Sequence, residues 1–360
     1  VVIGVGLKFW IGMAGARYTV CTGEGMIDMI GRIPGPRNWG VWMTLVAQLA
    51  AGTIALGSLA AAAGIFIHSV IGISPLLAGW LVTLFALAVV WSNVFNYLKL
   101  FMSLFVVIAV AGVLYVAITV FPGFGAIFKG LLIDIPAVPE WALALDSVEA
   151  NPWREILPLL GWAAGGFASQ VWYTYWVIGA GYGATAGRGY GKPADTDMLR
   201  SMSAENAVRI RGWCRVVYTD ASLAMILGVV ATGAFLIAGA GVLRPNQLAP
   251  EGPEVATTLA TLFAARWGRF GGMLFMVAGA CALIGTQIGQ LAGWPRLLAD
   301  SMRICIPKFN DRFAWKTQYR LFLGYFFVTS MVIVYSFGLR PVFLVKISAI
   351  FEGLLLTPFQ

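Results

Sequence analysis

The sequence predicts an all-α integral membrane fold of about ten apolar helices, and three observations carry that expectation. Only 11% of the 360 residues are charged while 59% are hydrophobic, with a mean hydropathy of +0.83. Soluble domains carry roughly 25% charged residues, and a water-exposed surface could not be covered with so few. The apolar residues also fall in blocks long enough to cross a hydrocarbon core, which takes about 20 helical residues. Finally, the net charge of +8 is concentrated in a few connecting segments. That is the cationic excess membrane proteins keep in their cytoplasmic loops, so no nucleic-acid partner is expected.

Nine apolar segments follow in order, at 1–30, 41–70, 75–91, 97–121, 156–179, 217–242, 273–298, 319–337 and 342–359. The connection 122–154 contains prolines and the acids Asp134, Glu140, Asp146 and Glu149. Two basic stretches stand against it. The first holds Arg188, Lys192, Arg200, Arg209 and Arg211, and the second holds Arg296, Arg303, Lys308, Arg312, Lys316 and Arg320. With 31–40 on the cytoplasmic side, both stretches and Arg32, Arg37 and Lys99 share that side, and 122–154 falls outside. This predicts a multi-pass protein of the plasma membrane with its basic loops cytoplasmic. Trp39, Trp42, Trp91, Trp153, Trp213, Trp267 and Trp315 lie near segment ends, where interfacial anchors sit.

The fifth segment is the most informative. Leu157 to Gln170 contains Gly161, Gly165 and Gly166 and then the polar Ser169 and Gln170, at mid-membrane depth. Each glycine weakens a helix by about 1 kcal/mol relative to alanine. Unwound backbone within a bilayer is tolerated only where it lines a cavity or is buried in protein. Discontinuous helices of this kind build the midplane sites of inverted-repeat transporters, while small residues alone also serve close helix packing. Four segments precede the broken one and five run from it onward, so a five-plus-five repeat needs one more helix before Val1. Because the chain opens inside a helix and without Met, that first helix is expected to be missing. The expected organisation is one transporter domain over 1–360, with 1–121 as the first repeat, 122–154 as an extracellular connection and 155–360 as the second repeat.

Other chemistry finds little support. Cys21, Cys214, Cys281 and Cys305 show no CxxC or His-paired spacing and are read as small apolar residues. The glycine-rich runs 179–183 and 187–192 follow no strand. Ala186 and Pro193 stand where a Walker loop needs Gly and Ser/Thr. One histidine, His68, and dispersed cysteines argue against a membrane-embedded enzyme, and no bound cofactor is expected. Glu24 and Asp28, spaced i, i+4, read as a solvated or Arg-paired helix end. Glu352 is an intramembrane acid and hence a candidate for the pathway. Lys8 and Arg17 read as snorkelling or acid-paired cations.

Two stretches carry a family resemblance. Ala16-Arg17-Tyr18-Thr19-Val20-Cys21-Thr22-Gly23-Glu24-Gly25-Met26 resembles the second helix of the natural resistance-associated macrophage protein (NRAMP) metal transporters. Ala278 to Gln290, with its Gly285-Thr286 and Gly289-Gln290 steps, resembles their eighth helix. Asp220 and the 348–359 stretch align less closely. The resemblance implies a leucine-transporter-type inverted-repeat fold and a divalent cation as substrate. Where classical members carry Met-Pro-His in the broken helix, this chain has Gly165-Gly166-Phe167. The third helix offers Gln48, Thr53 and Ser58 but no acid, and Ala349-Ile350 replace the usual glutamine of the last helix. The chain is in these respects similar to the NRAMP-related magnesium transporters. Loss of a thioether removes a soft ligand, and a wider, oxygen-lined site suits partly hydrated Mg²⁺. The expected metal-site residues are Ala163, Gly165, Gly166, Ser169 and Gln170, with Mg²⁺ as substrate, Mn²⁺ tolerated and no obligatory proton coupling. A proton-coupled transition-metal transporter and an amino-acid or organic-solute carrier of the same fold remain as alternatives.

Overall fold

A computed structural model describes residues 2–92, 95–131, 137–144, 148, 150–162 and 165–354. Among them the regular elements are all helical. They are α1 (Val2–Thr22), α2 (Met26–Ile30), α3 (Trp39–Ile71), α4 (Pro75–Ser92), α5 (Phe95–Thr119), α6 (Phe124–Leu131), α7 (Pro152–Trp162), α8 (Phe167–Ala180), α9 (Thr196–Arg200), α10 (Ala204–Ala238), α11 (Val255–Cys305), α12 (Pro307–Arg312), α13 (Trp315–Phe337) and α14 (Pro341–Leu354).

The helices pack in a manner opposite to a water-soluble bundle. Leu81, Leu84 and Phe85 on α4, Leu223, Ile226 and Leu227 on α10, and Leu321, Val328 and Val332 on α13 are exposed. Gln48, Ser58, Thr83, Gln287, Ser330, Ser348 and Glu352 are buried. Lipid replaces water around such a surface, and the protein is a multi-pass membrane protein. Five described helices are individually long and apolar enough to cross a bilayer. Of the other expected spans, α5 passes only together with α6 across a sharp bend, α7 and α8 are separated by the break, and α1 and α14 are not among the five.

At the centre lies α3, which packs against α4, α11, α13 and α14. Small residues permit the approach: a Cβ on Gly52 would stand 3.0 Å from the rings of Trp294 and Phe326. The opposite flank is made by α1, which packs on both α8 and α10.

Several expected boundaries shift. The sixth span begins far earlier, at Ala204, because its first turns continue the basic stretch as helix, capped where Ser203 accepts from Asn206 N (3.2 Å). Its 35 residues extend about 52 Å at 1.5 Å per residue, well beyond a core about 30 Å thick. The seventh extends back to Val255, with helical geometry interrupted at Gly268 (φ 56°, ψ −150°). The connection 122–154 contains α6, which leaves the axis of the preceding span at 107°. Glu24 and Asp28 do not share a helix face, since α1 ends at Thr22, Gly23 adopts φ +77°, and α2 starts only at Met26.

Candidate functional site

The fifth span is discontinuous, as its glycines predict. Gly165 takes φ +93°, a region that disfavours every side chain, and Gly166 is extended (φ −90°, ψ 178°). Gly165 N donates to Trp162 O (3.1 Å), closing α7, and α8 restarts at Phe167. Ala163 and Ala164 lie outside the described residues.

A restarted helix exposes unsatisfied N–H groups and a positive dipole end, which favour an anion. Gly166 supplies no side chain to cap them. Glu352, from α14, does so instead: Ala168 N donates to its Oε2 (2.8 Å). A Cβ at Gly166 would stand 2.5 Å from that same oxygen, so the glycine is required for the carboxylate to reach the helix. Lys8, buried on α1, lies within coulombic range of Glu352. Gln48, whose Oε1 accepts from Trp294 Nε1 (2.7 Å), approaches the same carboxylate. The sequence flagged Glu352 as an intramembrane acid, but nothing in it located the partner. The lysine of α1 and the acid of α14 are 344 positions apart in the numbering.

On the other side of the break is a cavity of about 340 Å³. Its walls come from α1 (Val5, Lys8, Phe9), from the break and α8 (Gly165, Ser169, Gln170, Tyr173), and from α10 (Asp220, Met225). Three of the five expected site residues therefore share one cavity: Gly165, Ser169 and Gln170. Gly166 instead backs onto Glu352. Ser169 Oγ donates to Gly166 O (2.6 Å), occupying one of the carbonyls freed by the break. Gln170 is held against Gly12 of α1, where any Cβ would collide with its Oε1. Tyr173 Oη donates to Asp220 Oδ2 (2.6 Å). Tyr173 and Met225 are polar or ligating cavity residues that sequence reasoning missed. For Tyr173, its position one helical turn beyond Ser169 and Gln170 was the available signal.

The cavity thus offers a carboxylate, a phenol, a hydroxyl and an amide beside the ammonium of Lys8, in a lining otherwise apolar (Val5, Phe9, Trp176, Ala221, Ala224), with one thioether from Met225 on α10 rather than from the break. No group of three or more His, Cys, Asp or Glu side chains able to hold a metal occurs among the described residues. The arrangement fits an ion that keeps much of its water. Six waters occupy about 180 Å³ at about 30 Å³ each, which the cavity accommodates.

At the basic end a second polar cluster closes the bundle. Arg303 of α11 grips Asp28 of α2 with Nη2 (2.7 and 2.8 Å to the two oxygens) and also approaches Asp300 (3.3 Å). Trp315 Nε1 donates to Asp300 Oδ1 (3.2 Å). Glu24 pairs with Arg32 (2.8 Å) and accepts from Ala194 N (2.7 Å). Both acids are therefore arginine-paired, as expected of a helix end. Burial, and after it the neighbouring Asp300, pushes Asp28 up to about 7 despite Arg303.

No protein-family model matches the chain, and no curated relative matches it by sequence. Solved structures do match. Two variants of the manganese transporter of Eremococcus coleocola superpose with TM-scores of 0.50 and 0.52 at 16% and 15% identity, covering 92% and 99% of this chain and 68% and 77% of theirs. The same transporter bound to an aromatic bis-isothiourea compound gives 0.50 at 15% identity, covering 99% of this chain and 77% of that one. At this identity the likeness establishes the fold, which is the leucine-transporter-type inverted repeat of NRAMP transporters.

Proposed function

We propose that a transporter fold broken at Gly165 and opening onto an oxygen-lined cavity carries divalent cations across the membrane, with Mg²⁺ as principal substrate and Mn²⁺ tolerated. In this reading residues 1–121 and 155–360 form the two repeats, joined by an extracellular connection at 122–154. The chain works in the plasma membrane with its basic loops cytoplasmic, by alternating access and without catalysing a reaction. The observation that carries the reading is the cavity itself. The break contributes glycine where a soft ligand would stand, and the oxygen donors on the wall are Asp220, Tyr173, Gln170 and Ser169, with Lys8 beside them. Hard oxygen donors and room for retained water favour Mg²⁺, which gives up its waters reluctantly. Gly165, Ser169 and Gln170 contact the hydrated ion from the break. Gly166 acts indirectly, by admitting Glu352 to the N-terminus of α8, and Ala163 belongs to the same stretch of chain.

Transport proceeds without obligatory proton coupling. Glu352 and Lys8 bring titratable groups to the break from other helices, within coulombic range of one another, and the carboxylate accepts from Ala168 N. What supports the reading is that α3 presents Gln48, Thr53 and Ser58 and no acid, and that residues 165–167 carry no titratable side chain.

Proteoliposomes loaded with a Mg²⁺-sensitive dye and a pH probe test both statements. Mg²⁺ and Mn²⁺ should enter, without matching acidification, and an amino-acid panel should not compete. Competition by an amino acid, with no cation entry, overturns the cation reading. Metal-dependent acidification absent from empty vesicles overturns the coupling statement. Met225 supports a second reading, a transition-metal transporter, because its thioether lines the cavity. Under that reading Met225→Ala lowers Mn²⁺ uptake selectively, whereas the magnesium reading expects little change in the Mn²⁺ to Mg²⁺ ratio.

A further inference from the structure

We infer that Cys21 and Cys214 form a reversible disulfide site, taking low-molecular-weight disulfides of the oxidised-glutathione class as its oxidant. The two cysteines are 193 residues apart, yet α1 and α10 bring their sulfurs to 3.7 Å. A disulfide needs about 2.05 Å between sulfurs, so the two side chains stand unbridged and within a side-chain adjustment of bonding. Both side chains are half-buried, which leaves them open to a reagent.

The surroundings indicate the reagent. A pocket of about 430 Å³ is lined by Cys21, Cys214, Arg211, Arg215 and Tyr218. These cationic side chains attract a carboxylate-bearing disulfide to the pair. The pocket lies on the basic flank of the bundle. Disulfides that form in a reducing compartment are transient and redox-sensing rather than structural.

The chemistry balances by exchange alone. One thiol of the pair loses its proton to solvent and attacks a sulfur of oxidised glutathione, the S–S bond breaks, and one glutathione thiolate leaves with the electron pair. The second cysteine, its proton lost to solvent, attacks the protein sulfur of the mixed disulfide and expels the second glutathione. Two protein thiols are oxidised and one glutathione disulfide is reduced. The bridge would join α1 to α10, two of the three walls of the 340 Å³ cavity.

The test reads the bond directly, so it stands whether or not the chain carries cations. The full chain in nanodiscs is equilibrated across a series of glutathione redox buffers, alkylated and digested. A linked peptide pair containing Cys21 and Cys214 should appear as the buffer becomes oxidising and vanish with dithiothreitol. It should be unchanged in a Cys281→Ser/Cys305→Ser background. In Cys214→Ser a stable glutathione adduct on Cys21 is expected, because the resolving thiol is gone. Absence of the linked peptide from monodisperse protein in fully oxidising buffer overturns the proposal. So does an adduct that persists on one cysteine of the unaltered pair.

Discussion

Glu352 and Gly166 show how closely a single contact can be specified. The carboxylate reaches the N-terminus of α8 only because position 166 lacks a Cβ. Gly166→Ala should displace the carboxylate and leave Ala168 N unsatisfied, at a cost of about 1–3 kcal/mol, visible as a lowered melting temperature in detergent. Lys8 and Glu352 are both buried and within coulombic range of one another, and removing one of two such buried charges costs more than replacing both. Lys8→Met and Glu352→Gln should each destabilise, while the double variant recovers part of the loss, with a coupling of about 1 kcal/mol or more. Strict additivity would show that the two charges do not interact. Asp28 gives a pH signature. Its folded carboxyl holds a proton more tightly than the unfolded one, whose ordinary value is 3.8. The associated stability is complete below that value and is lost as pH rises through about 7. Thermal stability should therefore fall as pH rises from about 4 to about 7 and level off above that, and Asp28→Asn should flatten the decline.

The discontinuous span was legible as an element because two adjacent glycines at membrane depth stood at the start of the second set of apolar segments, although the glycines alone also suited close helix packing. The reason each glycine is there was not legible. Gly165 is required by its φ of +93° and Gly166 by Glu352, so neither is simply the space left by a missing methionine. Replacing Gly165 with methionine would strain the backbone before it tested any ligand. Helix ends were also read short: the charged turns at the start of α10 and the apolar helix before Gly268 continue their spans. Charge marks where a helix leaves the hydrocarbon, not where its hydrogen bonds stop. Gly268→Ala should accordingly destabilise the fold through its left-handed φ (56°), by about 1–2 kcal/mol, although a Cβ there meets open space. Unchanged stability would mean that α11 straightens without penalty.

For the whole molecule, composition and the order of apolar blocks carried the fold class, because a bilayer leaves few ways to satisfy a backbone. The site was only partly legible. Gly165, Ser169 and Gln170 are neighbours in sequence and fall on one cavity, but the groups that complete it come from α1 and α10. Side chains that meet only through tertiary packing leave no local signal: Lys8 read as a snorkelling or acid-paired cation with no acid named, and Tyr173 drew no reading. The central claim is that a cation passes through this cavity in contact with the break, and Ser169→Cys tests it most directly. The change nearly conserves size and keeps the residue on α8, but it replaces a hard oxygen by a soft sulfur. Relative uptake of Cd²⁺ and Mg²⁺ by proteoliposomes of the variant and its parent is the measurement, with size-exclusion behaviour confirming the fold. The account predicts that the Cd²⁺ to Mg²⁺ ratio rises at least several-fold. A well-folded variant with the parent's ratio would contradict it, because the ion would then cross without meeting the wall that the break provides.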